Sequence, residues 1–425
     1  MIFAMGVLPM VLLVLGFPIF IVLLSGATLA LVVHMNVPLT AIQQNLFGSL
    51  NSPGLLAVPY FIFAGELMSR GTVSQRLVDF VGSMVGRVPG SLGVTTVGTA
   101  TMFGAISGSS AASVASVGKV MQPAMTRDGY PAAFSAGMIT SVSAIGIVIP
   151  PSIPMIVYGA SAEASIPRLY AAGVVPGLIL AAALAIYIMI RARAGGFGSG
   201  ASLSFRRFAQ AGLRAAWALG APVIVLGGIY GGVFSPTEAA AVACAYALVV
   251  TRFVYRELGW RDILDAAIGT VFFTAQVLII IAVAGLFSWI LTVNQVPQAL
   301  VSWIAAQEMT AWQFLLLVNI VLLVVGCFMD PLSAILLLTP LLIPIVEAFG
   351  IDKVHFGIVM TLNLAIGLFT PPFGINIFVA QSVLKMRTPD IYRGVLPFFW
   401  IFVAVLLLIT YLPSITLWGM ELFLF

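Results

Sequence analysis

Long uncharged stretches are the feature that most constrains this chain. The segments Tyr170 to Ile190 and Ile268 to Val293 contain no charged residue, and each is long enough for a membrane-spanning helix, which needs ~20 apolar residues. Only 8% of the 425 residues are charged, whereas soluble domains have ~25%. The stretches are continuous, while the strands of a transmembrane barrel would alternate between apolar and polar residues. The sequence therefore predicts an all-α protein that crosses a membrane many times.

Several classes of function are disfavoured by the motifs that the sequence lacks. The motif GxxxxGK[ST], which cradles nucleotide phosphates, does not occur, so no ATP hydrolysis is expected. The two histidines and two cysteines are far apart and form no metal motif or catalytic cluster, which argues against a membrane enzyme. The arginines behind the net charge of +4 are scattered through short loops, so nucleic acid is not an expected partner.

The segment from Ser91 to Arg127 is the first candidate functional element. Its centre reads GAISGSSAASVASVG, with an apolar arm on either side of the small polar residues Ser107 to Ser110. Each arm has ~15 residues where a spanning helix needs ~20, which favours a hairpin that enters the membrane and returns to the same side. Non-helical backbone at this depth must be buried in protein or line a wet cavity, so the tip is a candidate ligand site. The alternative is one ordinary transmembrane helix whose small residues pack against a neighbour.

Three other apolar runs are interrupted by proline. Proline removes a backbone donor and breaks helices, so two of the interruptions predict discontinuous helices. The third interruption has short apolar arms and predicts a second hairpin. The interruptions are Pro150 to Pro154 in the broken helix 131–160, Thr370 to Gly374 in the broken helix 354–384, and Met329 to Pro331 in the hairpin 312–348.

The two halves of the chain repeat when one is shifted by 221 residues. Matched glycine and proline positions are harder to obtain by chance than matched leucine or valine. The shift also places the tip residue Ser109 on Asp330. We therefore divide the chain into a first repeat, 1–190, a linker, 191–214, and a second repeat, 215–425. The matched pairs are Pro123 with Pro344, Gly146 with Gly367, Pro150-Pro151 with Pro371-Pro372, Gly173 with Gly394, and Pro176 with Pro397.

The placement of basic residues predicts the orientation of the halves. If the first hairpin enters from the cytoplasm and the second from outside, 15 of the 18 Lys and Arg lie on the cytoplasmic side, as the positive-inside rule requires. The linker 191–214, which holds five arginines, is then cytoplasmic. Two inverted repeats, each with a re-entrant hairpin and a discontinuous helix, form the architecture of a secondary transporter with its site near the midplane.

Four motifs resemble one known family over essentially the whole chain. They are similar to segments of the large membrane subunit of TRAP transporters, the tripartite ATP-independent periplasmic systems. The four motifs are GAISGSSAASVASVGKVMQPAM, IPPSIPMIVYG, GGVFSPTEAAAVACAY and TPPFGINIFVA. The resemblance implies a sodium-coupled elevator in the bacterial inner membrane that imports organic anions, chiefly carboxylates. It also implies two partner proteins, a small membrane subunit and a periplasmic substrate-binding protein.

The resemblance further implies that sodium ions bind between the hairpin tips and the broken helices. Serine, threonine and asparagine oxygens, and the carbonyls freed by helix breaks, suit a hard cation. No organic cofactor is implied. The implied positions are Ser107, Gly108, Ser109 and Ser110 with Pro150, Pro151 and Ser152 for one site, and Met329, Asp330 and Pro331 with Thr370, Pro371, Pro372, Gly374 and Asn376 for the other.

Single polar residues leave alternatives open. Asp330 is an acid in an apolar run, so a sodium or coupling role competes with a helix cap or an ion pair inside the protein. Ser235 and Glu238 have the spacing of a capping box, although Glu238 could also contact the small subunit. Asn376 follows the proline pair and is a candidate ligand; packing between helices is the alternative. His355 is expected at the membrane interface, unpaired.

Three other functions compete with a TRAP permease. A stand-alone sodium/carboxylate symporter would share the architecture and is distinguished by transport without a binding protein. A membrane enzyme would need a cluster of reactive residues at depth, which the sequence does not supply. A channel would be expected to carry repeated short pore signatures, and these are lacking.

Overall fold

The computed structural model describes residues 3–35, 37–198 and 204–423, and every regular element in these ranges is helical. The predicted all-α, multi-pass class is therefore confirmed. The described residues contain seven helices long and apolar enough to cross a membrane, or eight if the bent pair 40–48 and 53–70 forms one span. The seven are Ile166–Gly195, Phe205–Tyr230, Pro236–Val254, Trp260–Val293, Ala311–Phe328, Pro331–Ala348 and Thr388–Tyr411.

The N-terminal apolar stretch folds back on itself. The chain turns at Gly16, which has a positive φ of 82°, and Pro18 precedes the next helix. A Cβ on Gly26 would lie 2.8 Å from the Ala4 carbonyl oxygen, so the two segments pack closely side by side. The helices up to the first hairpin are Phe3–Val7, Leu8–Val14, Ile19–Ala30, Leu31–Met35, Leu39–Gly48, Pro53–Leu56, Ala57–Arg70 and Val73–Val85.

The first hairpin consists of helices Ser91–Ser107 and Ser110–Arg127. The chain reverses at Gly108, whose φ of 59° lies in the left-handed region that favours glycine. Beyond the second arm, the Tyr130 hydroxyl accepts a hydrogen bond of 3.2 Å from the Gly93 amide near the start of the first arm. Both ends of the hairpin therefore lie on the same side of the protein, which a single straight helix would not allow.

The second hairpin consists of helices Ala311–Phe328 and Pro331–Ala348, joined at Met329 and Asp330. Phe314 at its start stacks on Phe349 at its end, with ring centroids 5.0 Å apart. The prediction of short arms is wrong for this hairpin, because each arm has 18 residues and is long enough to cross a membrane by length and composition.

Each hairpin is followed by a broken helix. The first comprises Ala132–Val142, a 3-10 turn Ser143–Ile147 and Ile153–Ser161; the second comprises Lys353–Gly367 and Ile375–Leu384. The proline pairs lie in the two breaks, and both Pro-Pro peptide bonds are cis.

The two broken helices run antiparallel. Tyr158, near the end of the first, donates a hydrogen bond of 2.7 Å to the Lys353 carbonyl at the start of the second. Asn376, just beyond the break in the second, donates one of 3.0 Å to the Thr140 carbonyl in the first. The contacts between halves are also reciprocal, because Ser110–Arg127 packs on Ile375–Leu384 and Pro331–Ala348 packs on Ile153–Ser161.

Glycines allow the backbones to approach within this core. Gly104 of the first hairpin lies against Gly146 of the first broken helix, and Gly326 of the second hairpin lies against Gly367 of the second. A Cβ on Gly137 would come within 2.0 Å of the Gly394 carbonyl carbon, so these two helices pack backbone to backbone. Small residues at such contacts are typical of helix packing in membranes, where no hydrophobic force drives the helices together.

The glycine- and arginine-rich stretch 191–214 is largely helical where it is described. Helix Ile166–Gly195 extends into it, and helix Phe205–Tyr230 begins within it. Residues 199–203 lie outside the described residues. The other elements are Pro236–Val249 with Val250–Val254, Val296–Ala306 and the C-terminal Ser414–Phe423.

The capping box at the start of helix Pro236–Val249 is confirmed. The Glu238 amide donates to Ser235 Oγ at 3.3 Å, and the Ser235 amide donates to Glu238 Oε2 at 2.8 Å.

Candidate functional site

Both hairpin tips and both helix breaks border one cavity of about 430 Å³. Six of the residues implied by the family resemblance line this cavity: Ser107 to Ser110 of the first tip, and Asp330 and Pro331 of the second. Each break contributes flanking residues. Two helices outside the hairpins complete the wall. These other lining residues are Ile62, Gly65, Glu66, Ala111, Ala112, Ile147, Ile153, Pro154, Gly269, Thr270, Phe273, Leu332, Leu368 and Ile375.

The first tip is held between a neighbouring helix and the first break. Ser107 lies so close to Gly65 that a Cβ there would approach the Ser107 carbonyl oxygen to 2.9 Å. A Cβ on Gly108 would lie 3.2 Å from the Pro151 carbonyl oxygen and 3.5 Å from the Ile153 amide nitrogen. The side chain of Ser109 caps the second arm by accepting from the Ala112 amide at 3.4 Å. Glycine at the tip is therefore required both by its φ and by the nearby backbone.

Asn376 contacts the first tip. Its Nδ2 donates to Ser110 Oγ at 2.6 Å and to the Thr140 carbonyl at 3.0 Å. The sequence grouped Asn376 with the second tip, around Asp330. The structure brings it to the first tip instead, because the antiparallel halves place the end of one broken helix beside the hairpin of the other.

Asp330 caps the second arm of its hairpin. Its Oδ2 accepts from the Ser333 amide at 3.1 Å and its Oδ1 accepts from the Ser333 hydroxyl. Among the described residues Asp330 forms no ion pair. The ring of Phe328 lies 5.5 Å from that of Phe373, which places the second tip beside the second break. Of the three roles considered for Asp330, the geometry shows the cap, and its carboxylate also lines the cavity.

The remaining predicted residues lie at the breaks or, for Met329, at the second tip, and do not line the cavity. Asn376 bonds across to the first half, whereas three others bond within their own half: Ser152 Oγ donates to the Ile147 carbonyl at 2.5 Å, Thr370 Oγ1 donates to the Ile366 carbonyl at 2.6 Å, and the Pro372 carbonyl accepts from Tyr392 at 2.8 Å. These nine residues are Pro150, Pro151, Ser152, Met329, Thr370, Pro371, Pro372, Gly374 and Asn376.

Four helices begin at the cavity. Ser110, Ile153, Pro331 and Ile375 are the first residues of their helices, and all four line it. A helix N-terminus presents free N–H groups and a partial charge of about +0.5, which favours an anion. The cavity also holds two carboxylates, of which Asp330 is a cap and Glu66 pairs with Arg70 at 3.0 Å.

Unsatisfied oxygens lie behind the first tip. Asn376 Oδ1, Ser113 Oγ and Ser141 Oγ are buried and have no hydrogen-bond partner. Ser141 follows Thr140, whose carbonyl binds Asn376, and Ser113 lies one turn beyond Ser110 in the hairpin. Neutral oxygens of this kind fit a hard monovalent cation. Within the described ranges no three His, Cys, Asp or Glu side chains come together as a metal site.

Comparison with known proteins identifies the family. Residues 7–415 match the DctM component of the tripartite ATP-independent periplasmic transporters. The chain belongs to this family. It is therefore a large permease subunit of a TRAP transporter, as the sequence motifs indicated, and its relatives are permeases and not enzymes.

Relatives of the permease transport different compounds. It is 42% identical to the isethionate TRAP transporter permease protein DctMQ of Oleidesulfovibrio alaskensis over 95% of this chain, but spans 64% of that protein. It is 41% identical to the C4-dicarboxylate TRAP transporter large permease protein DctM of Pseudomonas aeruginosa, over 93% of this chain and 92% of that one. The ectoine TRAP transporter large permease protein TeaC of Halomonas elongata is 39% identical over 96% of both chains.

Solved structures share the fold at low sequence identity. The YdaH transporter of Alcanivorax borkumensis matches with a TM-score of 0.66 at 13% identity, over 88% of each chain. MtrF of Neisseria gonorrhoeae, described as an antimetabolite efflux pump, matches with a TM-score of 0.60 at 11% identity, over 95% of this chain and 94% of that one. At this identity the likeness concerns the fold alone.

Sequence reasoning missed part of the permease's cavity wall. Glu66 was not singled out, and Gly269, Thr270 and Phe273 belong to an apolar run that gave no reason to select them. Thr270 is one of several polar residues in that run, so no local signal distinguished it.

His355 lies in the first turn of helix Lys353–Gly367, but inside the protein and not on its surface. The side chain is buried, with Nδ1 2.9 Å from Thr416 Oγ1 and Nε2 3.3 Å from the Thr410 carbonyl. It belongs to a buried polar network, because Asn319 donates to Thr410 Oγ1 at 3.1 Å and Asn363 donates to Asn319 at 2.7 Å. The C-terminal helix Ser414–Phe423, which the sequence did not predict, supplies Thr416 and covers the histidine.

Proposed function

We propose that this permease couples the import of an organic anion of the carboxylate class to sodium entry across the bacterial inner membrane. A periplasmic binding protein delivers the anion, and a small membrane subunit completes the transporter. The observation that carries the proposal is the single cavity at which two hairpin tips, two helix breaks and four helix N-termini meet.

An anionic substrate fits the electrostatics of the cavity. Its four helix N-termini bring positive dipole ends to the same space. The Glu66 carboxylate is offset by Arg70 at 3.0 Å, and the Asp330 carboxylate is engaged by Ser333. The relatives named for C4-dicarboxylate and isethionate transport point to a small acid, and the ectoine transporters add a zwitterion.

Sodium coupling is supported by the neutral oxygens near the tips. Asn376 Oδ1, Ser113 Oγ and Ser141 Oγ offer buried, unused acceptors beside the first tip. The C-terminal carbonyls of helix Ser91–Ser107 lie at the same tip, and carbonyls of this kind coordinate cations in broken-helix transporters. A cation bound there would hold the tip, the first broken helix and the second broken helix together.

An elevator built from two inverted repeats is part of the proposal. The antiparallel contacts Tyr158 to Lys353 and Asn376 to Thr140 support inversion, because corresponding helices run in opposite directions. The reciprocal packing of each hairpin on the other half's broken helix supports a two-fold relation between the halves. Hairpins and broken helices that interlock in this way would move as one body against the remaining helices.

Uptake into proteoliposomes tests the function. The permease, its small subunit and its binding protein are combined with a sodium gradient, and each component is omitted in turn, with C4-dicarboxylate, isethionate and ectoine as substrates. Uptake should require all components. Uptake without the binding protein would instead identify a stand-alone symporter, and uptake that ignores the sodium gradient would refute the coupling.

A further inference from the structure

A polar groove lies far from the transport cavity, between helices Val73–Val85 and Phe205–Tyr230. It measures about 310 Å³. Arg207, Gln210 and Arg214 contribute one wall, and their spacing of three and four residues puts them on one helix face. Asp79 and Ser83 contribute the facing wall. The groove is open and combines positive, negative and hydroxyl groups.

The three charged groups of the groove do not pair with one another. Among the described residues the ion pairs within 4.0 Å are Arg70–Glu66, Arg76–Glu257 and Lys353–Glu347. The Asp79 carboxylate accepts a hydrogen bond of 2.9 Å from Gln75, which leaves most of its acceptor capacity unused. Two guanidinium groups and one carboxylate therefore face the same space with free bonding capacity.

The helix that carries the arginines also presents apolar side chains outward. Phe205 is 84% exposed, Leu213 76% and Trp217 49%. Arginines followed by exposed aromatic and aliphatic side chains are typical of the membrane interface, where the polar part meets head groups and the apolar part meets acyl chains. Beside the groove, Phe80 and Phe208 stack with ring centroids 5.7 Å apart, which fixes the two helices to each other.

We propose that this groove binds an aminophospholipid, a lipid whose head group carries both a phosphate and an ammonium. The phosphate lies between Arg207 and Arg214, because guanidinium groups are matched to phosphate oxygens. The ammonium lies at Asp79, and the acyl chains run along Leu213 and Trp217. A zwitterionic head group satisfies all three charges at once, whereas a purely anionic one would leave Asp79 facing a like charge. A primary ammonium also donates hydrogen bonds to the Asp79 carboxylate, which the trimethylammonium of phosphatidylcholine cannot do.

Bound lipid would join helix Phe205–Tyr230 to the element that leads into the first hairpin. Helix Val73–Val85 directly precedes the hairpin and packs against both of its arms. The lipid would therefore stabilise the position of the hairpin's base while leaving its tip free. This inference is independent of the transported substrate.

Competition between lipids tests the assignment. The permease is reconstituted in nanodiscs that contain equal amounts of phosphatidylethanolamine, phosphatidylcholine and phosphatidylglycerol with identical acyl chains, and the retained lipid is counted by native mass spectrometry. The parent should retain phosphatidylethanolamine in preference to the other two. The double variant Arg207→Gln/Arg214→Gln should lower that retention roughly tenfold or more, since each arginine donates charge-assisted hydrogen bonds.

Matched variants separate the groove from general attraction. Arg206→Gln removes the same charge next to Arg207 but does not line the groove, so it should retain the lipid. Asp79→Asn should abolish the preference for phosphatidylethanolamine over phosphatidylglycerol. Ser83→Leu, which fills the groove without altering its charge, should also lower retention.

Three results would overturn the proposal. Equal losses in Arg206→Gln and in the double variant would show non-specific charge attraction. An unchanged lipid preference in Asp79→Asn, or a parent that prefers phosphatidylglycerol, would show that no ammonium is recognised. Thermal unfolding in detergent, measured on every variant, shows that each is folded.

Discussion

The tip of the first hairpin offers the sharpest test of the site, through Gly108→Leu. Gly108 has a φ of 59°, a conformation that costs other residues about 1–2 kcal/mol. The new Cβ would also lie 3.2 Å from the Pro151 carbonyl oxygen and 3.4 Å from Ile153 Cγ1. Overpacking against such neighbours adds about 1–3 kcal/mol. The tip would be pushed away from the first break.

Gly129 is a matched control at the base of the same hairpin. Its φ is 76°, and a Cβ there would have nothing within 4 Å. Gly129→Leu therefore incurs a similar backbone penalty but no clash. The difference in sodium-binding free energy between the two variants isolates the contact between the tip and Pro151. This difference should be at least about 1.4 kcal/mol, which is a tenfold difference in sodium affinity.

The assay measures membrane abundance and sodium-dependent uptake on the same preparations. Gly108→Leu should insert in normal amount, because the apolar arms are unchanged, and should lose most of its uptake at the sodium concentration that half-saturates the parent. Gly129→Leu should keep its uptake. If Gly108→Leu transports normally, or if both variants lose uptake equally, the tip does not form the cation site.

Three other predictions address charge and orientation. Asp330→Asn should keep the helix cap, since asparagine caps as well as aspartate. The sodium affinity should fall roughly tenfold if the carboxylate contacts the ion. An unchanged sodium titration would restrict Asp330 to the cap. In a Cys244→Ala/Cys327→Ala background, Phe205→Cys should resist an impermeant maleimide added from the periplasm, because the adjacent arginines are expected in the cytoplasm; ready labelling in intact cells would invert the topology. Burial raises the pKa of Glu257, but hydrogen bonds from Thr72 and Arg76 outweigh the effect of burial and hold the pKa below its ordinary value of 4.5. The ionised carboxylate therefore stabilises the fold. This stabilisation is lost as the pH falls through the lowered pKa. Glu257→Gln should therefore unfold at a lower temperature than the parent at pH 7, and the gap should shrink in acid; a gap independent of pH would contradict the reasoning.

The helical class and the positions of the breaks could be predicted because their signals are local. A run without charge has few stable solutions in a membrane other than a helix. Each break contains a pair of adjacent prolines, so Pro150-Pro151 and Pro371-Pro372 mark the two breaks, whereas single prolines such as Pro176 and Pro397 lie inside continuous helices. Gly108 likewise marks the turn of the first hairpin, because the left-handed backbone there favours glycine.

The pairing of tips with breaks could not be predicted because it depends on how distant segments meet. Asn376 and Ser110 are 266 residues apart in the chain and 2.6 Å apart in the fold. The family resemblance suggested that each tip is served by the break of its own half. The antiparallel packing of the broken helices brings Asn376 across to the other half, so the first tip touches both breaks through Gly108 and Ser110.

The position of His355 shows a second limit. A histidine at the start of an apolar run suggests a residue at the membrane surface. Here helix Ser414–Phe423 folds back beneath helix Ile166–Gly195, with Gly419 so close that a Cβ would lie 3.0 Å from the Ala171 carbonyl oxygen. This short helix covers the histidine and supplies Thr416 as its partner. Its docking depends on tertiary contacts that no local pattern in the sequence reports.

The buried network also distinguishes the two broken helices. Shifted back by 221 residues, Asn363 falls on Val142 and His355 on Phe134, so the first half packs the same positions with apolar side chains. The architecture therefore does not need polar residues there. Hydrogen bonds between membrane helices contribute about 0.6 kcal/mol on average, so the network adds little stability, but it fixes the register of hairpin arm Ala311–Phe328 against the second broken helix. Both hairpins pack closely on their own broken helix through glycines, Gly104 on Gly146 and Gly326 on Gly367. The second hairpin has in addition the directional bonds of this network, whereas the first receives the bond from Asn376 of the other half.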